Sequence, residues 1–232
     1  MLSRKDSTTA RSRLPLPRAV PVFPRYSPRE RHADALVHAV GLIGGSAACL
    51  VLAALSVEGT DPRRLVSLGL YATGLMAMLI CSALYNLSVD GPRKALFQRL
   101  DHAAIFMMIA GTYTPFTLVA IGGAWGTGLC AFVWMVAVMG MAVEILGLSR
   151  SDNLLVAAYL LLGWVIVIAL GPLAAALSPA GMTLLVAGGV LYTVGVVFHL
   201  WTRLPYQNAI WHGFVLLAAS SHYAAVLLEI AA

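Results

Sequence analysis

Ser82, Asp101 and His212 are the side chains of this sequence best suited to reaction chemistry: a hydroxyl that can attack or donate, a carboxylate that can take a proton, and an imidazole that titrates near neutrality. Two amides stand at helical spacing to them. Asn86 lies four residues after Ser82 and Asn208 four before His212, and residues at i and i+4 share a helix face. His38, His102 and His199 are further candidates to line a common cavity. With Asp101 or His212 as general base and Ser82 as nucleophile or oxyanion donor, hydrolysis of an acyl group is the chemistry open to this set. The sequence singles out no third group to orient the base. All of it requires elements that bring distant residues to one depth.

Composition says what those elements are. Of 232 residues, 60% are hydrophobic and 11% charged, and the mean hydropathy is +0.85. A soluble domain carries about 25% charged residues, so a water-facing surface is excluded. A bilayer crossing takes about 20 apolar residues. Asp34 and Glu58 bracket 23 uncharged residues, and Arg64 and Asp90 bracket 25. Three longer windows, 103–143, 153–202 and 204–228, are divided by Gly122-Gly-Ala-Trp-Gly126, Gly171-Pro172 and Ser178-Pro179. The spacing predicts seven helices, at about 35–57, 65–88, 102–121, 125–148, 153–173, 180–202 and 207–230. Leu-, Ala- and Gly-rich runs without period-two alternation exclude a barrel, which leaves an all-α, seven-helix integral membrane bundle. Cys49, Cys81 and Cys130 fall inside these helices and support no disulfide.

Charge sets the orientation. Residues 1–33 carry eight cations and several prolines but no signal-sequence core, and read as a disordered basic tail. Arg93, Lys94, Arg99, Arg150 and Arg203 fall on the tail side, against Arg63 and Arg64 opposite. The positive-inside rule places the N-terminus in the cytoplasm and the C-terminus outside. The tail sets topology and can contact anionic lipid head groups; no nucleic-acid partner is expected. With this orientation His38, Ser82, Asn86, Asp101, His102, His199, Asn208 and His212 all reach the cytoplasmic half of the bilayer. His222 falls in a deeper layer. Glu144 is expected to snorkel to the interface, Pro115 to kink helix three, and Trp125, Trp201 and Trp211 to sit in the interfacial belt.

The segments Leu36-Val-His-Ala-Val-Gly41, Ser82-Ala-Leu-Tyr-Asn86, Arg99-Leu-Asp-His-Ala-Ala-Ile105, Ala110-Gly-Thr-Tyr-Thr-Pro-Phe116 and Trp211-His-Gly-Phe-Val-Leu-Leu217 carry a resemblance. In this order and spacing the chain resembles the hemolysin III family, the bacterial branch of the progestin and adipoQ receptor group, over about residues 34–230. The resemblance implies a multi-pass protein of the bacterial inner membrane. It also implies a zinc site of three histidines, one closing the helix-two motif and two at i, i+4 in helix seven, near a serine and an aspartate. Ser82, Asp101 and His212 match that pattern. Asn86 and Asn208 occupy the other two histidine positions. A neutral amide oxygen is a weak donor to Zn²⁺, so a metal-free cavity is expected, with the two amides bonded to each other across helices two and seven. The alternative that retains zinc would draw on His38, His102, His199 or Asp101.

Three functions follow from these residues. The first is a metal-free, lipid-responsive or membrane-homeostasis protein. The second, implied by the resemblance, is a zinc-dependent hydrolase of lipid amides such as ceramide. The third is a cytolytic pore, which one polar layer serves poorly.

Overall fold

The computed structural model describes residues 23–24, 26–57, 61–149 and 151–231. The disorder expected of the tail concerns positions that, up to residue 22, lie outside the described residues. Among the described residues seven helices are long and apolar enough to cross a membrane. They are α1 (Pro28–Val57), α2 (Pro62–Leu87), α3 (Pro92–Ile121), α4 (Gly123–Ile145), α5 (Asp152–Ala176), α6 (Pro179–Leu200) and α7 (Gln207–Ala231). The protein is a multi-pass integral membrane protein, and Leu36, Ile43, Leu161 and Val197 face outward where lipid would cover them.

Two helices begin earlier than the charge-free windows predict. α1 starts at Pro28, not near 35, because Ser27 and Glu30 form a capping box: Ser27 N donates to Glu30 Oε2 (2.8 Å), Glu30 N donates to Ser27 Oγ (3.3 Å), and Pro28 takes the first helical position. Residues 28–33 are therefore helix rather than tail, and Asp34 lies in the second turn. α3 starts at Pro92, not near 102, with Arg93, Lys94 and Arg99 on helical turns that precede its apolar stretch. A charge ends an apolar window without ending a helix.

α3 is the centre of the bundle, with 61% of its apolar window buried against 17–39% for the other six. It meets α2 backbone to backbone. A Cβ on Gly74 would fall 2.9 Å from the Met107 carbonyl oxygen, and one on Gly111 2.9 Å from that of Leu70. Small residues thus permit the approach. Outside this pair α1 packs on α2 and α7, α4 on α3, and α6 on α7.

Irregular backbone is satisfied locally, as hydrocarbon surroundings require. After Pro115 the last turns of α3 widen into a π-helix, Phe116–Ile121. α5 is interrupted by a 3₁₀ turn at Val165–Ala169, ahead of Pro172. The Tyr113 hydroxyl of α3 serves this break, accepting from Ile166 N (2.7 Å) beside the Leu162 and Gly163 carbonyls. At the opposite end of the bundle from Asp34, Glu229 caps α6 by accepting from Ser178 N (3.1 Å), and Arg64 donates to the Ala231 carbonyl.

Candidate functional site

The starts of α1, α3 and α7 and the ends of α2 and α6 meet at one end of the bundle, and four of the sequence-derived residues close there into a hydrogen-bonded ring with Asp34. His212 Nδ1 donates to Asp34 Oδ1 at 2.6 Å. Asn208 Nδ2 donates to Asp34 Oδ2 and to Asn86 Oδ1, both at 3.0 Å. Asn86 Nδ2 donates to the Ser82 carbonyl (3.0 Å) and lies 3.4 Å from Ser82 Oγ, which is 3.5 Å from His212 Nε2. The expected amide pair between helices two and seven is present, with Asp34 as the acceptor that joins it to His212.

Asp34 and His212 are buried, at 5% and 7% exposure. A carboxylate in such surroundings is tolerated only when its lone pairs are met by donors. The ring meets them from α7. It also fixes the imidazole: with Nδ1–H given to the carboxylate, Nε2 is left as an acceptor toward Ser82.

A cavity of about 1180 Å³ opens over this ring. Asp34, Ser82, Asn86, Asp101, Asn208 and His212 line its polar end, Asp101 beside Ser82; Met108, Phe116 and Leu173 line its apolar reach. Arg31, His32 and Asp90, which also line it, are exposed. Tyr26 also lines it, with its hydroxyl 3.5 Å from Gln207 Oε1. Burial and the Asp34 and Glu30 carboxylates push that hydroxyl above the usual phenol range, so it remains a donor.

The other histidines are placed differently from one another. His38 packs behind the ring, its ring centroid 4.5 Å from that of His212, with Nε2 3.5 Å from Asp34 Oδ2 and no hydrogen-bond partner among the described residues. His102 lines the cavity but turns Nδ1 to Glu144 Oε2 at 3.2 Å. Glu144 is thus 3% exposed and paired across α3 and α4, which corrects the expectation that it snorkels. His199 lines the cavity with its ring against Trp211. His222, ten residues beyond His212 on α7, lines the same cavity, with Nε2 3.1 Å from the Leu185 carbonyl.

The residue that sequence reasoning missed is Asp34. It bounds a charge-free window and falls just ahead of the helix predicted at 35–57. The capping box at Ser27–Glu30 was the available signal, since a helix from Pro28 puts Asp34 one turn before His38.

The donor set decides whether zinc fits the three positions that the family pattern implies. At those positions the Asn86 and Asn208 amides are spent on each other, on Asp34 and on Ser82, and only His212 offers a good ligand atom, so the set does not fit the ion. A different trio, Asp34, His38 and His212, brings one carboxylate and two imidazoles within 4.8 Å of one another.

Comparison with known proteins places these features in a wider group. The family described as Haemolysin-III related matches residues 29–223. The chain is 34% identical over 202 residues to the Hemolysin-3 homolog of Bacillus subtilis (strain 168), covering 87% of this chain and 95% of that protein. It is 35% identical over 203 residues to Hemolysin-3 of Bacillus cereus, covering 87% and 92%. A more distant similarity, 26% over 215 residues and covering 89% and 87%, is to the human monocyte to macrophage differentiation factor. No solved structure matches the chain.

Proposed function

The chain belongs to the haemolysin-III-related family, and on that premise we propose that it is a lipid-responsive membrane-homeostasis protein whose polar cavity works without a bound metal. The observation that carries this reading is one cavity, polar at the Asp34–His212 end and apolar along Met108, Phe116 and Leu173. A molecule with a polar head and a hydrocarbon chain matches that division, and the volume of about 1180 Å³ exceeds what a drug-sized ligand needs. The positive-inside bias supports a cytoplasmic-leaflet position for the polar end, where the basic tail meets anionic head groups.

Native mass spectrometry of the purified chain tests the reading. The wild type is expected to retain lipid and Asp34→Leu to lose it; a wild type that retains none overturns the proposal. Metal analysis is expected to find zinc well below one ion per chain. The double substitution Asn86→His/Asn208→His is expected to raise it toward about one, because three imidazoles then face one another.

A second reading, a zinc-dependent lipid-amide hydrolase, is favoured by the Asp34–His38–His212 trio and by the unpartnered His38 Nε2. Zinc near one ion per chain that disappears in His38→Ala would establish it in place of the first. The names of the Bacillus relatives point to lysis, and a liposome leakage assay addresses that directly: no dose-dependent dye release is expected.

A further inference from the structure

We propose that Ser82, His212 and Asp34 form a metal-independent nucleophile relay that takes up the acyl group of a lipid ester on Ser82. The inference rests on the reading of the cavity as a lipid site. Its geometry is a succession of three groups at the polar end of the cavity. Asp34 Oδ1 accepts from His212 Nδ1 at 2.6 Å, and His212 Nε2 faces Ser82 Oγ at 3.5 Å. The tautomer is set by the carboxylate, so the nitrogen facing the hydroxyl is the basic one. The longer contact is at the outer limit of a hydrogen bond, as substrate-free relays often are before substrate tightens them.

Three observations separate this from an ordinary polar contact between helices. Hydroxyls inside this bundle usually donate to the carbonyl four residues back, as those of Thr73, Thr112 and Thr193 do at 2.7–2.8 Å. Ser82 Oγ instead stands 3.5 Å from His212 Nε2, with the Asp101 carboxylate beside it. Secondly, both ends of the line are held. Asn208 donates to the second oxygen of Asp34, and Asn86 donates to the Ser82 backbone while standing 3.4 Å from Oγ. The two asparagines at the family's histidine positions therefore orient a hydrogen-bonded chain where histidines would have offered metal ligands. Thirdly, Ser82 lines the cavity that would hold the acyl chain, while His38 packs behind His212 on the far side.

The step balances with the lipid ester and water alone. Ser82 Oγ bonds to the ester carbonyl carbon as its proton passes to His212 Nε2, and Asp34 stabilises the imidazolium. Asn86 Nδ2 is the donor beside the developing oxyanion. Collapse breaks the ester C–O bond, and His212 returns the proton to the departing alcohol. Water, reaching the cavity past its exposed lining residues Arg31, His32 and Asp90, then attacks the acyl carbon, gives its proton to His212, and releases a fatty acid as Ser82 recovers its hydrogen. Ser82 and His212 are catalytic residues in this scheme, and Asp34 is a positioning residue.

The test is covalent labelling of the full-length chain in lipid nanodiscs by a long-chain alkyl fluorophosphonate with excess chelator present. One adduct per chain, mapped to Ser82, is expected, at a rate unchanged by chelator. Ser82→Ala should show none, and His212→Gln should slow labelling by about 100-fold or more, the usual worth of a general base. Asp34→Asn should slow it and alter its pH profile, which a purely structural role would leave unmoved. Ser82→Cys, gaining an alkyl maleimide adduct mapped to position 82 beyond any at Cys49, Cys81 and Cys130, reports whether the altered site still folds and opens to the cavity. Labelling elsewhere, labelling indifferent to His212, or a rate that collapses with chelator and returns with zinc would overturn the relay. The same spectra record retained lipid. Lipid retained by a chain that stays unlabelled removes the relay alone, whereas neither lipid nor label removes the cavity reading with it.

Discussion

Two buried carboxylate–imidazole pairs cross this bundle, Asp34 with His212 and Glu144 with His102, and they continue differently. The first joins α1 to α7 at 2.6 Å, the second α4 to α3 at 3.2 Å. Asp34 has both oxygens met by donors from α7, whereas Glu144 Oε1 has no hydrogen-bond partner among the described residues. Beyond the imidazole, the first pair leads to a hydroxyl on the cavity wall. The second also reaches the cavity wall at His102, but among the described residues no hydroxyl receives from that ring; the His102 carbonyl takes the Tyr159 hydroxyl at 2.8 Å. Pairing alone therefore makes a stitch between helices. What makes a candidate site is the continuation of the pair to a reactive atom with space in front of it.

The sharpest way to break the comparison is Asp34→Ala. It leaves His212 and Asn208 without their shared acceptor, and breaking a buried pair costs about 3–5 kcal/mol. Thermal unfolding in detergent should show the largest loss of any single substitution in the ring. Glu144→Ala should cost less, about 1–3 kcal/mol for one unsatisfied imidazole nitrogen, and should leave Ser82 labelling at the wild-type rate. Equal losses in the two variants would show that the second donor to Asp34 contributes nothing. Asn86→Ala sharpens the picture at the small end. It removes one interhelical hydrogen bond worth about 0.6 kcal/mol, so its melting temperature should barely move while labelling at Ser82 slows measurably.

The helices were legible because length and the absence of charge are what a bilayer demands, and both can be counted. The amide pair was legible too, since Ser82/Asn86 and Asn208/His212 share helical spacing and the topology turns both faces inward. Asp34 was not, for the same reason that made the helices easy. A rule that ends a helix at a charge discards the charged residue a membrane helix keeps for use. Glu144 failed in another way: whether a carboxylate snorkels or pairs depends on which residue faces it from α3, and no spacing within α4 reveals His102. Depth groups His38 with His102 and His199 at the cavity, but depth does not specify the side of the helix that each presents: His102 and His199 line the cavity, whereas His38 packs against the His212 ring.

The bond between Asp34 and His212 also bears on how the chain is made. It ties the first helix to the last, across 178 positions. During synthesis α1 reaches the membrane while α7 is still to be translated, so Asp34 has no acceptor-matched donors on α7 to turn toward. A lone Asp at the centre of a membrane helix costs about 2.5–3.5 kcal/mol, less near its end, and Asp34 in the second turn can wait at the interface. Only when α7 arrives can the carboxylate move inward. The Asp34–His212 bond thus forms only after α7 is in place, and a chain truncated before α7 would carry an unmatched acid.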